Sequence, residues 1–197
     1  MYKDNSYYID LNNKAENLIR KGEFLGSGHN GIVYMLPKNR VIKIFKDMKV
    51  CEQEYTILKR AGKNKSKYFP KVYDRGSYYI VREYVGGKRL DKYIKRNGIN
   101  KKITHNIIKL IREFKRIGFN KLDIRCKDLY VNEKFSLRVI DPKNNYSKKM
   151  EYPRHLMKGL NNLGALEDFL ETVKDEAPKE YNFWSERIEQ YLKYGIK

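Results

Sequence analysis

The sequence predicts an α+β fold of two lobes, a β-rich N-terminal lobe and a mostly helical C-terminal lobe. Short β-type runs broken by turn residues occupy the chain before the link Gly86–Gly87. After that link, apolar residues recur mainly with helical spacing. A length of 197 residues suits one domain or two small lobes. We therefore expect an N-terminal extension over residues 1–20, an N-lobe over 21–85 and a C-lobe over 86–197.

The N-lobe is predicted from short runs with strand composition. Glycines and the turn signal PKN separate three of these runs, EFLGSG, GIVYMLP and RVIKIFK. The next segment, VCEQEYTILKRAG, has a helical pattern, and Gly62 is expected just past its end. FPKVYDRG and YYIVREYVGG are expected to pair as strands around a turn at Gly76. Within the N-terminal extension, NKAENLIRKG is typical of a helix.

The C-lobe contains the clearest helix of the sequence, ITHNIIKLIREFKRIG. Its apolar side chains form one stripe at helical spacing, and Gly118 is expected to end it. LYVNEKFSLRVID then predicts two short strands around a turn, and three helical segments follow towards the C-terminus. The residues of the stripe are Ile103, Ile107, Leu110, Ile111 and Phe114.

Composition restricts the class of protein and its partners. Two cysteines, Cys51 and Cys126, cannot form a disulfide framework, which favours a reducing compartment. We see no apolar signal-peptide region and no run near the roughly 20 residues that a membrane span needs, so we expect a cytoplasmic protein. The net charge of +19 favours acidic or nucleic-acid partners. Because the lysines are scattered, a general compositional bias explains this charge equally well.

A glycine-rich segment and a strand lysine are candidate phosphate-binding elements. Gly26, Gly28 and Gly31 lie between two predicted strands, where backbone N–H groups can approach a polyphosphate with no Cβ in the way. Taken alone, such a segment is more often an ordinary hairpin turn. Lys43 alternates with apolar residues in VIKIF, so its ammonium points away from its two neighbours and towards the glycine loop. An exposed strand lysine is the alternative interpretation.

Acidic residues further along the chain complete the candidate site. Glu54 lies on the inner face of the predicted helix, where its carboxylate could hold the Lys43 ammonium, with Glu52 as the alternative. Asp123 and Asp128 bracket a loop in KLDIRCKDLYV, and Asp141 ends a strand in LRVIDPKN. Carboxylates near a phosphate-binding loop suit Mg²⁺ binding and proton acceptance, although aspartate at strand ends is also common in turns.

These segments together resemble the protein-kinase-like family, in the order and spacing of its motifs. LGSGHNGIVY resembles the glycine-rich loop, VIKIF the third-strand lysine motif, and EYTIL the helix that carries the paired glutamate. VREYVGGKRL is similar to the hinge, KLDIRCKDLYV to the catalytic loop and RVIDPKN to the metal-binding strand end. The resemblance covers about residues 22–145. It implies a two-lobed kinase fold, that of a small atypical bacterial serine/threonine protein kinase with a minimal C-lobe.

The resemblance implies two cofactors, ATP and Mg²⁺. Asp123 would occupy the place of the catalytic base, and Arg125 the place of a cation that meets the transferring phosphoryl group. Asp141 would hold Mg²⁺, and Asp128 stands where the family has a metal-binding asparagine. Lys43 would contact the ATP phosphates as a catalytic residue. The implied ATP-binding residues are Gly26, Ser27, Gly28, Gly31, Val33, Lys43, Glu54, Glu83 and Tyr84.

Departures from the family pattern leave three functions open. Lys121–Leu122 replaces the His-Arg that precedes the catalytic aspartate, Pro142–Lys143 replaces Phe-Gly, and no Ala-Pro-Glu motif follows. The preferred hypothesis is phosphoryl transfer from Mg-ATP to a protein Ser/Thr hydroxyl. The alternatives are a small-molecule kinase and a pseudokinase that binds nucleotide or an acidic partner such as RNA.

Overall fold

The computed structural model describes residues 11–142 and 149–195, which divide into two compact units. The first unit comprises the residues up to Lys63 together with Pro70–Tyr84, and the second comprises Asn64–Phe69 together with the residues from Val85 onward. The first unit is rich in strands and the second is mostly helical, which confirms the predicted α+β fold class. Among the described residues, no helix combines the length and apolarity that crossing a membrane requires.

The first unit is built on one antiparallel sheet of five strands in the order β1-β2-β3-β5-β4. The three strands predicted before residue 46 and the pair predicted around Gly76 are all present. Its elements are α1 (Asn13–Arg20), β1 (Glu23–Gly28), β2 (Gly31–Leu36), β3 (Arg40–Phe45), α2 (Met48–Lys63), β4 (Val72–Arg75) and β5 (Tyr79–Glu83).

Helix α1 belongs to the core of the first unit. Ala15 is completely buried in a cluster with side chains from β2, β3 and β5, and Leu18 and Ile19 pack against the same cluster. The Asn12 side chain accepts a hydrogen bond from the backbone N–H of Ala15 at 3.0 Å and so caps the helix. Helix α1, in the predicted N-terminal extension, therefore packs apolar side chains against this sheet. The few apolar residues in the sequence of the extension do not indicate this contact.

The second unit combines a small antiparallel sheet, ordered β6-β7-β8, with five helices among its described residues. The residues of the predicted apolar stripe are buried in α4, which ends at Arg116. Gly118 follows two residues later with a positive φ of 74°. The strand β6 and the separate helix α3 were not predicted individually. The elements are β6 (Lys88–Arg89), α3 (Leu90–Asn97), α4 (Lys101–Arg116), β7 (Leu129–Val131), β8 (Leu137–Val139), α5 (Arg154–Asn162), α6 (Leu166–Glu176) and α7 (Pro178–Tyr194).

The expected end of α2 was wrong by two residues. The helix continues through Gly62 and ends at Lys63. An added Cβ on Gly62 would meet nothing within 4 Å, so this glycine is not forced by close packing. A glycine in the last turn lowers helix propensity but does not stop a helix whose inner face is already buried.

We expect neither cysteine to react as a thiolate in the folded protein. Burial raises the pKa of both the Cys51 and the Cys126 thiols to about 12, so the protonated, unreactive form predominates at neutral pH. Ellman's reagent at pH 8 should label neither thiol rapidly in the native protein, and should label both once urea unfolds it. Rapid labelling of one native thiol would contradict this burial.

Candidate active site

Register in the first unit brings three of the predicted ATP-binding residues into one row. Gly26 of β1 lies opposite Val33 of β2, and Val33 lies opposite Lys43 of β3. Residues directly opposite each other on antiparallel strands place their side chains on the same face of the sheet. The Lys43 side chain therefore shares its face with Val33 and with the backbone of the glycine segment.

The three glycines of this segment have different structural roles. Gly31 adopts φ +151°, and a Cβ added there would lie 1.7 Å from the carbonyl oxygen of Ile44. Gly26 and Gly28 have no atom within 4 Å of an added Cβ. Gly31 is thus needed for the approach of β2 to β3, whereas packing does not require the other two. Open space in front of Gly26 and Gly28 is suited to a ligand that approaches the backbone closely.

This difference predicts a large loss of stability for one glycine substitution and almost none for another. Gly31→Ala should lower the free energy of unfolding by about 2 kcal/mol or more, because the new Cβ collides with backbone that cannot move aside. Gly28→Ala should change it by less than about 0.5 kcal/mol. Urea unfolding monitored by circular dichroism measures both values. Equal destabilisation by the two substitutions would contradict the assigned role of Gly31.

Lys43 and Glu54 form a buried ion pair in the first unit. The Lys43 Nζ atom donates to Glu54 Oε2 at 2.5 Å, and the two side chains are only 9% and 3% exposed. Lys43 Nζ also lies 4.7 Å from the centre of the Phe45 ring. The alternative partner, Glu52, instead pairs with Arg75 at 2.6 Å on the surface. The structure thus selects Glu54 from the two glutamates that the sequence left open.

The segment predicted as a hinge uses some of its backbone donors internally. The backbone N–H of Glu83 donates to the Lys71 carbonyl at 2.8 Å, and that of Tyr84 donates to the Asn39 carbonyl at 2.9 Å. The Glu83 carboxylate also accepts a hydrogen bond from the backbone N–H of Lys71 at 3.2 Å. These two N–H groups are therefore engaged within the first unit. The adenine base of a nucleotide could contact this segment only through its remaining polar backbone groups.

In the second unit, the Asp123 carboxylate holds the first turn of α5. Asp123 Oδ1 accepts hydrogen bonds from the backbone N–H groups of His155 at 3.0 Å and Leu156 at 3.3 Å. Asp123 Oδ2 contacts Nδ1 of the His155 ring. The Asp123 side chain is completely buried, while that of His155 is 40% exposed. Asp123 thus both satisfies unpaired helix N–H groups and orients an imidazole that reaches the surface.

His155 is the residue of this site that the sequence did not indicate. Its segment, YPRHLMKG, contains no second histidine or cysteine at metal-ligand spacing, so the sequence gives His155 no chemical role. Thirty-two positions separate His155 from Asp123, so no local pattern connects them. The position of the histidine in the first turn of a helix after Pro153 is the one available signal, and it is weak.

Arg125 and Asp128 form a second ion pair beside Asp123. Arg125 Nε and Nη2 donate to the two Asp128 carboxylate oxygens at 2.5 and 2.9 Å. This bond and the charges of Asp128, Asp141 and Asp123 raise the pKa of the Arg125 guanidinium above its usual range. Three carboxylates therefore act on one guanidinium, and both oxygens of Asp128 are already engaged by it.

The carboxylates of the second unit are chemically suited to Mg²⁺. The ion usually binds one or two protein carboxylates together with water and substrate phosphates. Asp128 and Asp141 supply such oxygens, and Arg125 partly neutralises their charge. No cluster of three or more potential metal ligands occurs among residues 11–142 and 149–195. Lys143 and Asn144 of the predicted RVIDPKN motif lie outside the described residues.

Comparison with known proteins supports the resemblance. No protein-family model matches the chain. A protein of Bacillus subtilis (strain 168) named "Putative serine/threonine-protein kinase YrzF" is 24% identical over 149 residues, which cover 72% of this chain and 66% of that protein. The chain thus aligns with slightly less than two thirds of this relative. A solved structure, the streptomycin-ATP-APH(2")-IIa ternary complex, aligns at 16% identity with a TM-score of 0.41, over 54% of this chain and 40% of that one.

The sequence similarity and the residue geometry agree on one family. The motif order and the alignment with the Bacillus protein come from the sequence, and the buried Lys43–Glu54 pair is a separate observation from the structure. They support the resemblance of this chain to the protein-kinase-like family.

Proposed function

We propose that this chain transfers the γ-phosphoryl group of ATP to the hydroxyl group of a protein serine or threonine. The buried Lys43–Glu54 pair is the observation that carries this proposal. Removing two charged groups from water is costly, and a well-packed apolar pair often stabilises a fold equally well. A lysine held at this depth, in the same row of the sheet as Gly26, is suited to contact phosphate oxygens. The serine/threonine acceptor is supported by the name of the aligned relative.

In this proposal, the first unit provides the contacts to the ATP phosphates. The backbone at Gly26 and Gly28 approaches the phosphates, and the Lys43 ammonium neutralises part of their charge. Glu54 fixes the lysine in one position, so little reorganisation is needed when the nucleotide binds.

The second unit provides the proton acceptor and the metal ligands. The acceptor oxygen forms a bond to the γ-phosphorus as the bond to the β–γ bridging oxygen breaks, and the hydroxyl proton leaves. Asp123 orients His155 through Nδ1, which leaves Nε2 of the exposed ring to receive that proton. Asp128 and Asp141 would hold Mg²⁺, which supplies positive charge that neutralises the phosphate oxygens.

Substitution of Arg125 tests the assignment of the metal ligands. Arg125→Gln removes the guanidinium that engages both Asp128 oxygens, so Mn²⁺, used as a spectroscopic substitute for Mg²⁺, should bind several-fold more tightly. Electron paramagnetic resonance of the unbound ion measures this affinity without any turnover. Arg112→Gln, which removes a surface pair with Glu180, is the matched control and should leave it unchanged. Unchanged or weaker Mn²⁺ binding in Arg125→Gln would contradict the assignment.

A small-molecule acceptor is the second candidate. Helix α5 begins at Arg154, and no Ala-Pro-Glu motif occurs. The stretch between Asp141 and α5 is therefore short, and it offers few residues for docking a peptide. Under this alternative the same ATP chemistry acts on a hydroxyl group of a metabolite.

Labelling with ATP that carries radioactive γ-phosphate distinguishes the two acceptors. The protein and small-molecule fractions of one bacterial extract are incubated separately with enzyme, labelled ATP and Mg²⁺. We expect acid-stable label on protein, and none with Asp123→Asn. Label on metabolites alone would replace the protein acceptor by the second candidate. No transfer to either fraction, with ATP binding retained, would indicate a pseudokinase.

A further inference from the structure

A basic surface cavity lies in the second unit, between α3 and the strand pair β6–β7. Its volume is about 440 Å³, and none of the described residues that line it is acidic. Four cationic side chains and two tyrosines contribute to its wall, namely Lys88, Arg89, Lys92, Arg96, Tyr93 and Tyr130. The residues proposed to bind ATP and metal do not line it.

The positive charge of the cavity is largely uncompensated within the described chain. Arg89 is engaged by Asp91, whose carboxylate accepts from Nε at 2.8 Å and from Nη2 at 2.5 Å. Lys88, Lys92 and Arg96 make no ion pair with any described residue. Lys92 and Arg96 are one helical turn apart on α3, where two like charges destabilise a helix. An anionic ligand would relieve this repulsion.

The wall of the cavity is held by packing on each side. Leu90 and Ile94 are buried, which fixes the orientation of α3. The Tyr93 ring packs edge-on against Phe135, with centroids 6.5 Å apart. Gly87 adopts φ +105°, and a Cβ there would lie 2.5 Å from the Val131 carbonyl oxygen, so the chain enters β6 close against β7. The charged groups are therefore carried on backbone that is already ordered.

We propose that this cavity binds the phosphate groups of a small organic phosphate. Its volume lies within the range of about 300–1,000 Å³ that is typical of small-ligand sites. Lysine ammonium groups and the planar Arg96 guanidinium match phosphate oxygens, and the two tyrosine rings offer apolar surface to the organic part of the ligand. This site does not depend on phosphoryl transfer and extends beyond the proposed function.

Calorimetric titration of the full chain with fructose 1,6-bisphosphate tests the proposal, with fructose as the phosphate-free control ligand. The bisphosphate should bind and fructose should not. The double substitution Lys92→Ala/Arg96→Ala should weaken binding by about tenfold or more, as expected when charge-assisted hydrogen bonds are lost. Lys95→Ala, which removes an exposed charge from the same helix outside the cavity, should leave the affinity unchanged.

The variant Lys43→Met/Glu54→Gln separates this site from the proposed ATP site. It should bind the bisphosphate as the wild type does, so a failure of ATP binding would leave this result intact. Equal affinity in the Lys92→Ala/Arg96→Ala variant and the wild type would overturn the proposal. An equal loss in Lys95→Ala would also overturn it, because general surface charge would then explain the binding.

Discussion

Lys43→Met is expected to have the largest effect of any substitution in the first unit, because it removes the proposed phosphate contact and breaks a buried ion pair. The free energy of unfolding should fall by about 3–5 kcal/mol, since Glu54 is then buried without its partner charge. Phosphoryl transfer should fall by about 100- to 1,000-fold. Urea unfolding and a γ-phosphate transfer assay measure the two effects separately.

A double variant distinguishes the structural effect from the functional one. Lys43→Met/Glu54→Gln removes both charges, so much of the lost stability should return. ATP binding should remain weak, because no ammonium is left to contact the phosphates. If the double variant bound ATP as tightly as the wild type, Lys43 would have only a structural role.

Asp123→Asn and His155→Asn are expected to have the largest effects on turnover in the second unit. In Asp123→Asn the new amide oxygen can still accept from the backbone N–H groups of α5, so the fold should be retained, but the amide holds the His155 ring less firmly. In His155→Asn the imidazole Nε2, which we propose takes up the hydroxyl proton, is absent. We expect each variant to lower kcat by about 100- to 10,000-fold with little change in the Kd of ATP.

The combination of these two changes tests whether the pair acts as a unit. The double variant Asp123→Asn/His155→Asn should be no slower than the slower single variant, because residues that act together are not additive. His105→Asn, which removes an exposed histidine paired with Glu176, is the matched control and should retain wild-type kcat. Full activity in His155→Asn with loss in Asp123→Asn would assign proton acceptance to Asp123 itself.

The sequence was sufficient where local pattern determines structure. Alternation in VIKIF and helical spacing around Glu54 predicted the strand and the helix that carry the Lys43–Glu54 pair. The buried apolar stripe of α4 follows directly from its helical periodicity. These features depend on residues close together in the chain, or on strands whose registers are set by short turns. The approach of Gly31 to Ile44 also follows from such a turn.

Contacts between distant segments could not be predicted in the same way. The contact of Asp123 with His155 depends on where α5 begins. The bidentate pair between Arg125 and Asp128 is local, three positions apart, but it depends on a short 3₁₀ turn, Cys126–Asp128, that the sequence pattern did not predict. Spacing alone gives the same residues several possible partners, and tertiary packing selects one of them.

The proposed phosphoryl transfer requires that the chain bind ATP together with Mg²⁺. Thermal unfolding measures this binding when it is recorded with ATP in the presence and absence of Mg²⁺, for the wild type, Asp141→Ala and Lys43→Met/Glu54→Gln. At a ligand concentration of about one hundred times Kd, the wild type should gain about 2.7 kcal/mol of stability. We predict an increase in Tm with ATP that depends on Mg²⁺. This increase should be lost in Asp141→Ala and much reduced in Lys43→Met/Glu54→Gln. An unchanged Tm of the wild type under every condition would contradict nucleotide binding and, with it, the proposed phosphoryl transfer.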